Sequence, residues 1–195
     1  MIITIARQCG CGALHIGKLL SDKYGVPLFS RQNLLDMARD KGLEANMLDF
    51  FEERPADEIQ FSILLENSDI MARFREAFSS MIGQMDCIVV GRCGNVIFDH
   101  RSDLVSVFLK GDREQRIRNM AEAENISVRE ASELVCKMDD CRSSYHKYYT
   151  GHTWGAAQDY DLCVDSCRLG ETGTADIISL YVEKSARLWS TFSNS

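Results

Sequence analysis

The chain has 195 residues, 45% of them hydrophobic and 26% charged, with a formal net charge of −7. That length supports one domain with a sizeable core, and the composition is ordinary for a soluble globular protein. The acidic balance excludes a protein whose main surface grips a nucleic acid backbone, and no apolar run approaches the ~20 residues of a membrane-spanning helix.

The first predicted element is a strand over residues 2–5, followed by the turn ARQCGCG and a helix whose Ile16, Leu19, Leu20 and Tyr24 share one face. Gly25 and Pro27 stop that helix, and residues 27–29 read as a short second strand. From Arg31 to Met85 the pattern is helical almost throughout. One stripe holds Leu34, Met37 and Ala38; a second holds Leu43, Met47, Phe50 and Phe51; a third holds Ile70, Phe74, Phe78, Met81, Ile82 and Met85. Residues 87–90 read as a fully buried strand closed by GRCGN, and residues 104–109 as another. A helix over about 112–123 turns Ile117, Met120 and Ala121 inward. The SVRE at 127–130 is a capping box, opening a helix with Val128, Ala131, Val135 and Met138 on one side. After YHKYYTGHTWG come a strand over 160–165 and a last helix carrying Ile177, Ile178, Tyr181 and Val182. Strands alternating with helices predict a parallel α/β sheet covered on both faces. The two helical stretches belong above its carboxyl edge, where such sheets bind ligands.

The turn after the first strand is where P-loop proteins hold phosphate. Successive backbone N–H groups point inward there, the helix N-terminus adds partial positive charge, and glycines let the backbone wrap closely. A lysine then reaches the phosphates and a Ser/Thr hydroxyl joins Mg²⁺. Two registers compete. GxxxxGK occurs literally from Gly12 to Lys18, but Leu19 stands in the hydroxyl place and Lys18 lies opposite the apolar stripe. The other register starts at Arg7 and makes a backbone cradle of Arg7, Gly10, Cys11, Gly12, Ala13, Leu14 and His15. Gly10 and Gly12 then fall where loop glycines belong, while Ala13 takes the lysine place and Leu14 and His15 the hydroxyl places. A strand–helix turn that binds nothing is the plain alternative. Cys9 and Cys11 make only a CxC, Cys163 and Cys167 only a CxxxC, and no CxxC occurs among the eight cysteines. Reduced, small hydrophobic roles are expected for them, with zinc as the alternative. The uncharged start reads as a buried strand rather than a leader, so the expected location is cytoplasmic.

The segments ITIARQCGCGALHIGKLL, VVGRCGNVI, FLKGDREQRIRNM, MDDCRSSYHKYYTGHTWG and YDLCVDSCRLG resemble the cytidylate kinase-like family, a divergent branch of the P-loop nucleoside monophosphate kinases. The resemblance spans nearly the whole chain. In this branch the first loop typically reads Ser-Arg-Gln-x-Gly-Ser-Gly-Gly. Arg7, Gln8, Gly10 and Gly12 match it, while Ala6, Cys11 and Ala13 replace Ser, Ser and Gly. The resemblance implies a P-loop NTPase-like three-layer α/β fold with a five-stranded parallel sheet, as a single domain over 1–195. It further implies a helical nucleoside-monophosphate-binding insert at 31–85 and a lid over 119–155. The implied activity is ATP-dependent phosphoryl transfer, with Mg²⁺, to a nucleotide such as CMP or dCMP. The partners would be small-molecule nucleotides rather than a nucleic acid polymer or a membrane, and a homo-oligomer stays open.

Phosphoryl transfer needs positioning, water exclusion and positive charge. On the resemblance, Arg92 would meet the acceptor nucleotide, Arg116 would lead into the lid, and Arg142 would close over the transferred group; these are the candidate catalytic residues. Arg31, Arg92 and Tyr145 are the candidate substrate contacts. Each has a plain alternative. Arg116 could share a solvated helix face with Arg113 and Arg118, and Arg142 could pair with Asp139 or Asp140. Tyr145, Tyr148, Tyr149 and Trp154 look less like helix core and could cover a base or seal the lid, or simply pack; His15 could meet phosphate or lie on the surface. Two departures from ordinary cytidylate kinases stand out: Cys93 replaces an aspartate after the strand-three arginine, and Val90 replaces another before its glycine. With Ala13 and Leu14 in the loop, no residue is assigned to Mg²⁺, and Arg7 is the replacement cation. The competing reading is a nucleotide- or phosphate-binding module without turnover. A protein-interaction scaffold would leave Gly10, Gly12 and Arg92 without a shared purpose.

Overall fold

The computed structural model describes residues 1–43 and 70–192, so Met47, Phe50 and Phe51 lie outside the described residues. Five strands, β1 (Ile2–Arg7), β2 (Leu28–Phe29), β3 (Cys87–Val90), β4 (Leu104–Lys110) and β5 (Leu162–Asp165), pair in the order β2-β3-β1-β4-β5. All four pairings are parallel. Around the sheet lie α1 (Ala13–Tyr24), α2 (Arg31–Asp40), α3 (Ile70–Ile82), α4 (Gly94–Ile97), α5 (Arg113–Glu124), α6 (Val128–Thr150) and α7 (Ser166–Phe192). The last of these bends at Gly170, whose φ of 70° and ψ of 172° are not helical.

Successive side chains of a strand point to opposite faces. On one face Ile3, Ile5, Ile88, Val90, Val105 and Val107 are buried with Ile16 and Leu20 of α1 and Ile178 and Val182 of α7. On the other, Ile2, Cys87 and Val89 join Leu34, Phe74, Phe78, Phe98, Tyr145 and Tyr149. Covered on both sides, the central strands carry the near-continuous apolar runs seen in the sequence. The chain runs from β1 out to β2, returns through β3, and then crosses β1 to reach β4. The carboxyl ends of β1 and β3 therefore flank a reversal of direction, the place where ligands sit in open parallel sheets.

Several boundaries differ from expectation for local reasons. β1 extends to Arg7 because its last two residues pair with Phe108 and Leu109 of β4. α3 stops at Ile82, where Gly83 turns left-handed (φ 57°), and Met85 beyond it is exposed rather than part of the stripe. Val128 is exposed too: it is the first residue of α6, ahead of the turn that buries Ala131 and Val135. Ile177 lies on the outer side of α7 while Ile178 and Val182 face the core. Leu162 rather than Tyr160 starts β5, and Tyr160 packs on Phe108 with ring centroids 5.1 Å apart.

Of the aromatic run after Arg142, Tyr145 and Tyr149 are helix core. α6 continues unbroken to Thr150 and ends at Gly151 in the left-handed conformation. Tyr145 and Tyr149, one turn apart, are both buried with centroids 4.7 Å apart, and Phe74 meets Tyr149 edge-on at 5.5 Å. Trp154 leaves this cluster and stands edge-on to Phe108 at 5.3 Å.

His146 is buried beside these tyrosines, and its Nε2 has no hydrogen-bond partner. Burial, helped by nearby His152 and opposed by Asp159, lowers its pKa from 6.5 to about 4. Below pH 6.5 the unfolded chain takes up a proton that the folded chain refuses until about pH 4. Stability from this residue is thus fully present above that window and declines as the pH falls through it. Urea unfolding at neutral pH and again near pH 4.5 should show a loss from His146 of roughly 2–3 kcal/mol. His146→Gln should flatten that dependence, and an equal decline in both proteins would exclude His146 as its source.

Candidate functional site

Where β1 ends, the backbone turns in ways that need glycine. Gly10 (φ 83°) and Gly12 (φ 68°) are both left-handed, and a Cβ on Gly10 would overlap the Arg116 carbonyl. Gly12 is also the N-cap of α1 and supplies no side-chain acceptor. By contrast Ser30, Asp112 and Ser127 cap α2, α5 and α6 with side-chain oxygens. The first-turn amides of α1 therefore keep their donors and their share of the helix dipole, a setting suited to an anion. They line a 550 Å³ cleft to which Gln115 and Asn119 of α5 also contribute. A larger cleft of 730 Å³, beside Lys110, Trp154 and Asp165, shares only Gln8 with the loop and holds none of these amides.

Every residue from Arg7 to His15 lines the loop cleft. Lys18, the end of the literal GxxxxGK string, lies on the exposed side of α1 and pairs with Asp22. Gly17 of that string is a packing glycine, since a Cβ there would come within 2.9 Å of Leu28. Within the cradle, Cys11 and Ala13 are buried, whereas Leu14 points outward and His15 is exposed with its Nδ1 against the Glu171 carboxylate.

The arginines divide into two sets. The Arg7 guanidinium crosses from β1 to the end of β3, lying where a Cβ on Gly91 would be. Gly91 (φ 82°) begins a run of three left-handed residues completed by Arg92 (φ 56°) and Cys93 (φ 50°). Such a conformation costs a side-chain-bearing residue on the order of 1 kcal/mol or more. It is held by α4, which packs Gly94 directly on Thr4 and returns the Ile97 N–H to the Cys93 carbonyl at 2.9 Å. Arg92 is buried, with its guanidinium 5.6 Å from the centre of the Tyr145 ring. Burial raises the Tyr145 phenol pKa well above its ordinary value, against the pull of Arg92, so the ring stays neutral. One turn earlier on α6, Arg142 is buried and donates to the Arg7 carbonyl at 3.5 Å. Arg7, Arg92, Arg142 and Tyr145 are thus brought together at the carboxyl ends of β1 and β3.

Arg116 stands apart from that group. It is only 6% exposed, so it does not belong to a solvated helix face, although its neighbour Arg118 does. Its Nη1 donates to the Cys9 carbonyl at 3.1 Å and to Asp139 Oδ2 at 2.6 Å, and its Nε donates to the Gly111 carbonyl at 3.1 Å. The other Asp139 oxygen accepts the Cys9 N–H at 2.7 Å. Arg116 therefore grips the loop through its backbone. Arg31 opens α2 on the surface.

The thiols here are protonated, apolar groups. Burial raises the Cys9 pKa despite the opposing charges of Arg142, Arg116 and Arg7, and pushes that of Cys11 up to about 12. No disulfide joins any of the eight cysteines. Among the described residues no three His, Cys, Asp or Glu side chains cluster to hold a metal ion. No described helix is long and apolar enough to cross a membrane.

Three contributors escape a reading of sequence alone: Asp139 as partner of the loop, Asn119, which donates to the Gly10 carbonyl at 2.9 Å, and Glu171. They lie 130, 109 and 156 residues from their partners, so no local pattern announces them.

A five-stranded parallel sheet in this order, with a glycine loop between its first strand and first helix, defines the P-loop kinase fold. A solved shikimate kinase from Bacteroides thetaiotaomicron shares it, with a TM-score of 0.52 at 11% identity over 94% of this chain and 98% of that one. Residues 2–168 match the cytidylate kinase-like family, and the chain belongs to that family. Cytidylate kinases from Methanococcus vannielii and Methanothrix thermoacetophila are each 28% identical over 182 and 178 residues, covering 91% of this chain and 97% and 95% of theirs. A solved protein from Eubacterium ventriosum, described as uncharacterised, is 27% identical with a TM-score of 0.74 over 94% of this chain and 98% of that one.

Removing the Asp139 carboxylate leaves Arg116 charged, buried and without its counter-ion. Asp139→Ala should lower the free energy of urea unfolding by about 3 kcal/mol, and Asp139→Asn, which can still accept a hydrogen bond, by less. A loss within ±0.5 kcal/mol of zero, the range of ordinary surface substitutions, would remove Asp139 from this role.

Proposed function

We propose that the chain is a nucleoside monophosphate kinase that moves the γ-phosphoryl group of ATP to a pyrimidine nucleotide such as CMP or dCMP. The observation that carries this reading is the uncapped, glycine-turned loop set beside three converging arginines at the carboxyl edge of the sheet. Membership of the cytidylate kinase-like family supports it.

On this reading the donor phosphates lie against the amides of the loop and the first turn of α1. Ala13 offers no ammonium, so the charge facing the phosphates comes from Arg7, whose guanidinium already spans β1 and β3. Arg92 meets the acceptor phosphate, and its burial against Tyr145 limits its side-chain freedom before the ligand arrives. Arg142 faces the transferred group from α6. Helices α2 and α3 fall within the acceptor-binding insert over 31–85, while α6 and the second half of α5 fall within the lid over 119–155. Arg116 serves by holding the loop rather than by touching phosphate. No residue is assigned to Mg²⁺, which would be held by the nucleotide's phosphate oxygens and water and would offset phosphate charge there; Asp139 is engaged by Arg116 and Cys9, and Glu171 by His15.

A coupled assay with ATP, Mg²⁺ and a panel of monophosphates, run alongside calorimetry, tests the proposal. Arg92→Ala and Arg7→Ala should each lower kcat/KM on the order of 10²-fold, with Arg7→Ala also weakening ATP binding. Unchanged affinity and turnover in Arg7→Ala would exclude it as the replacement cation. Binding without turnover would make the protein a nucleotide-binding module, and failure to bind any nucleotide would overturn both readings.

A further inference from the structure

Arg118, Gln115 and Asn119 of α5 form a one-way chain of hydrogen bonds that ends on the loop. Arg118 Nη2 donates to Gln115 Oε1 at 2.9 Å, Gln115 Nε2 donates to Asn119 Oδ1 at 2.9 Å, and Asn119 Nδ2 donates to the Gly10 carbonyl at 2.9 Å. Spacings of three and four residues make these side chains neighbours on the helix. An amide side chain can be turned over, which ordinarily leaves such links ambiguous. Here both ends settle the direction. A guanidinium can only donate, so Gln115 presents its oxygen to Arg118 and its NH₂ to Asn119. A backbone carbonyl can only accept, so Asn119 presents its NH₂ to Gly10.

A trans peptide carries its N–H antiparallel to its C=O. Holding the Gly10 carbonyl toward α5 therefore points the Cys11 N–H the other way. Arg116 does the same for the preceding peptide through the Cys9 carbonyl. Gly10, at φ 83°, is the residue about which these planes turn most easily. Without the donors on α5, a carbonyl can swing into the cradle, where it repels an anion.

We propose that Asn119, keyed by Gln115 and Arg118, is a positioning residue that sets the Gly10–Cys11 peptide plane so that the Cys11 N–H is offered to phosphate. This inference rests on the phosphate-loop reading and deepens it. Part of the preorganisation otherwise supplied by the loop's own lysine and hydroxyl comes from α5. Asn119 also lines the cleft, so a direct contact with a nucleotide base is the rival role.

Calorimetric titration with ADP and with inorganic tripolyphosphate separates the two roles, using the full chain and its Asn119→Asp, Asn119→Leu and Gln115→Glu variants. Spectra of the Gly10 and Cys11 amides and thermal unfolding accompany each titration. Asn119→Asp keeps the size but sets a carboxylate against the Gly10 carbonyl. Gln115→Glu leaves every atom of the Asn119–Gly10 contact in place and replaces the donor that orients it with a carboxylate. Because that charge also repels anions from the cleft, the Cys11 amide shift in the ligand-free variant, not affinity alone, reports the orienting role. Both Asn119 variants should bind ADP and tripolyphosphate more weakly by a similar factor of about ten or more, with a smaller loss in Gln115→Glu. The Cys11 amide resonance should shift in the ligand-free variants. A loss for ADP with tripolyphosphate unchanged would assign Asn119 to the base and overturn the proposal, as would unchanged affinity for both. Should the Asn119 variants fail to fold, unchanged tripolyphosphate affinity and an unchanged Cys11 amide in Gln115→Glu would overturn it alone. If the unaltered chain binds neither ligand, the phosphate-loop reading itself fails, before any variant is compared.

Discussion

The Asp139 carboxylate, shared between the Cys9 N–H and the Arg116 guanidinium, ties the loop after β1 to the helical hairpin of α5 and α6. A loop of this kind has no regular ladder to satisfy its backbone, and its groups become costly once they are buried. Arg116 and Asp139 meet that demand from outside the loop, one taking the Cys9 carbonyl and the other the Cys9 N–H. The bonds are charge-assisted, at 2.6 and 2.7 Å to the two carboxylate oxygens, and stronger than neutral ones. Their geometry has a mechanical consequence. Any displacement of α6 must carry Cys9 with it or break a buried ion pair.

The opposite rim of the site depends on packing rather than on charge. Two side-chain-bearing residues in succession, Arg92 and Cys93, adopt left-handed backbone conformations, which the chain tolerates because α4 is seated directly on β1. Gly91 and Gly94 are the spacers that make this possible, one leaving room for Arg7 and the other for Thr4. The strain aims Arg92 toward Tyr145 at the end of β3, so conformational energy is converted into the placement of a cation.

Much of this was legible in the residues. The alternation of apolar strands with amphipathic helices specified the parallel sheet, and the glycines at 10 and 12 marked the loop at the register beginning with Arg7. Misjudged boundaries have local causes: Met85 lies past the Gly83 stop, and Val128 precedes the buried turn of its helix. The dense tyrosines after Arg142 left base-covering, lid-sealing and plain packing open; Tyr145 and Tyr149 pack, and their spacing of four residues on one face is a helical signal present in the sequence. Arg116 could not be separated from Arg113 and Arg118 by spacing, since burial distinguishes it and spacing does not report burial.

By itself, then, the sequence determined the order of elements, the glycine-turned loop between β1 and α1 and the family, because periodicity, glycine placement and motif order are local properties of the chain. Tertiary structure alone decided which arginines converge on the sheet edge, which one turns to grip the loop, and which residues of α5 and α6 hold the loop's peptide planes. Those choices join residues more than a hundred positions apart. The physical reason is that a guanidinium, a carboxylate or an amide takes its role from the donors and acceptors that folding places around it.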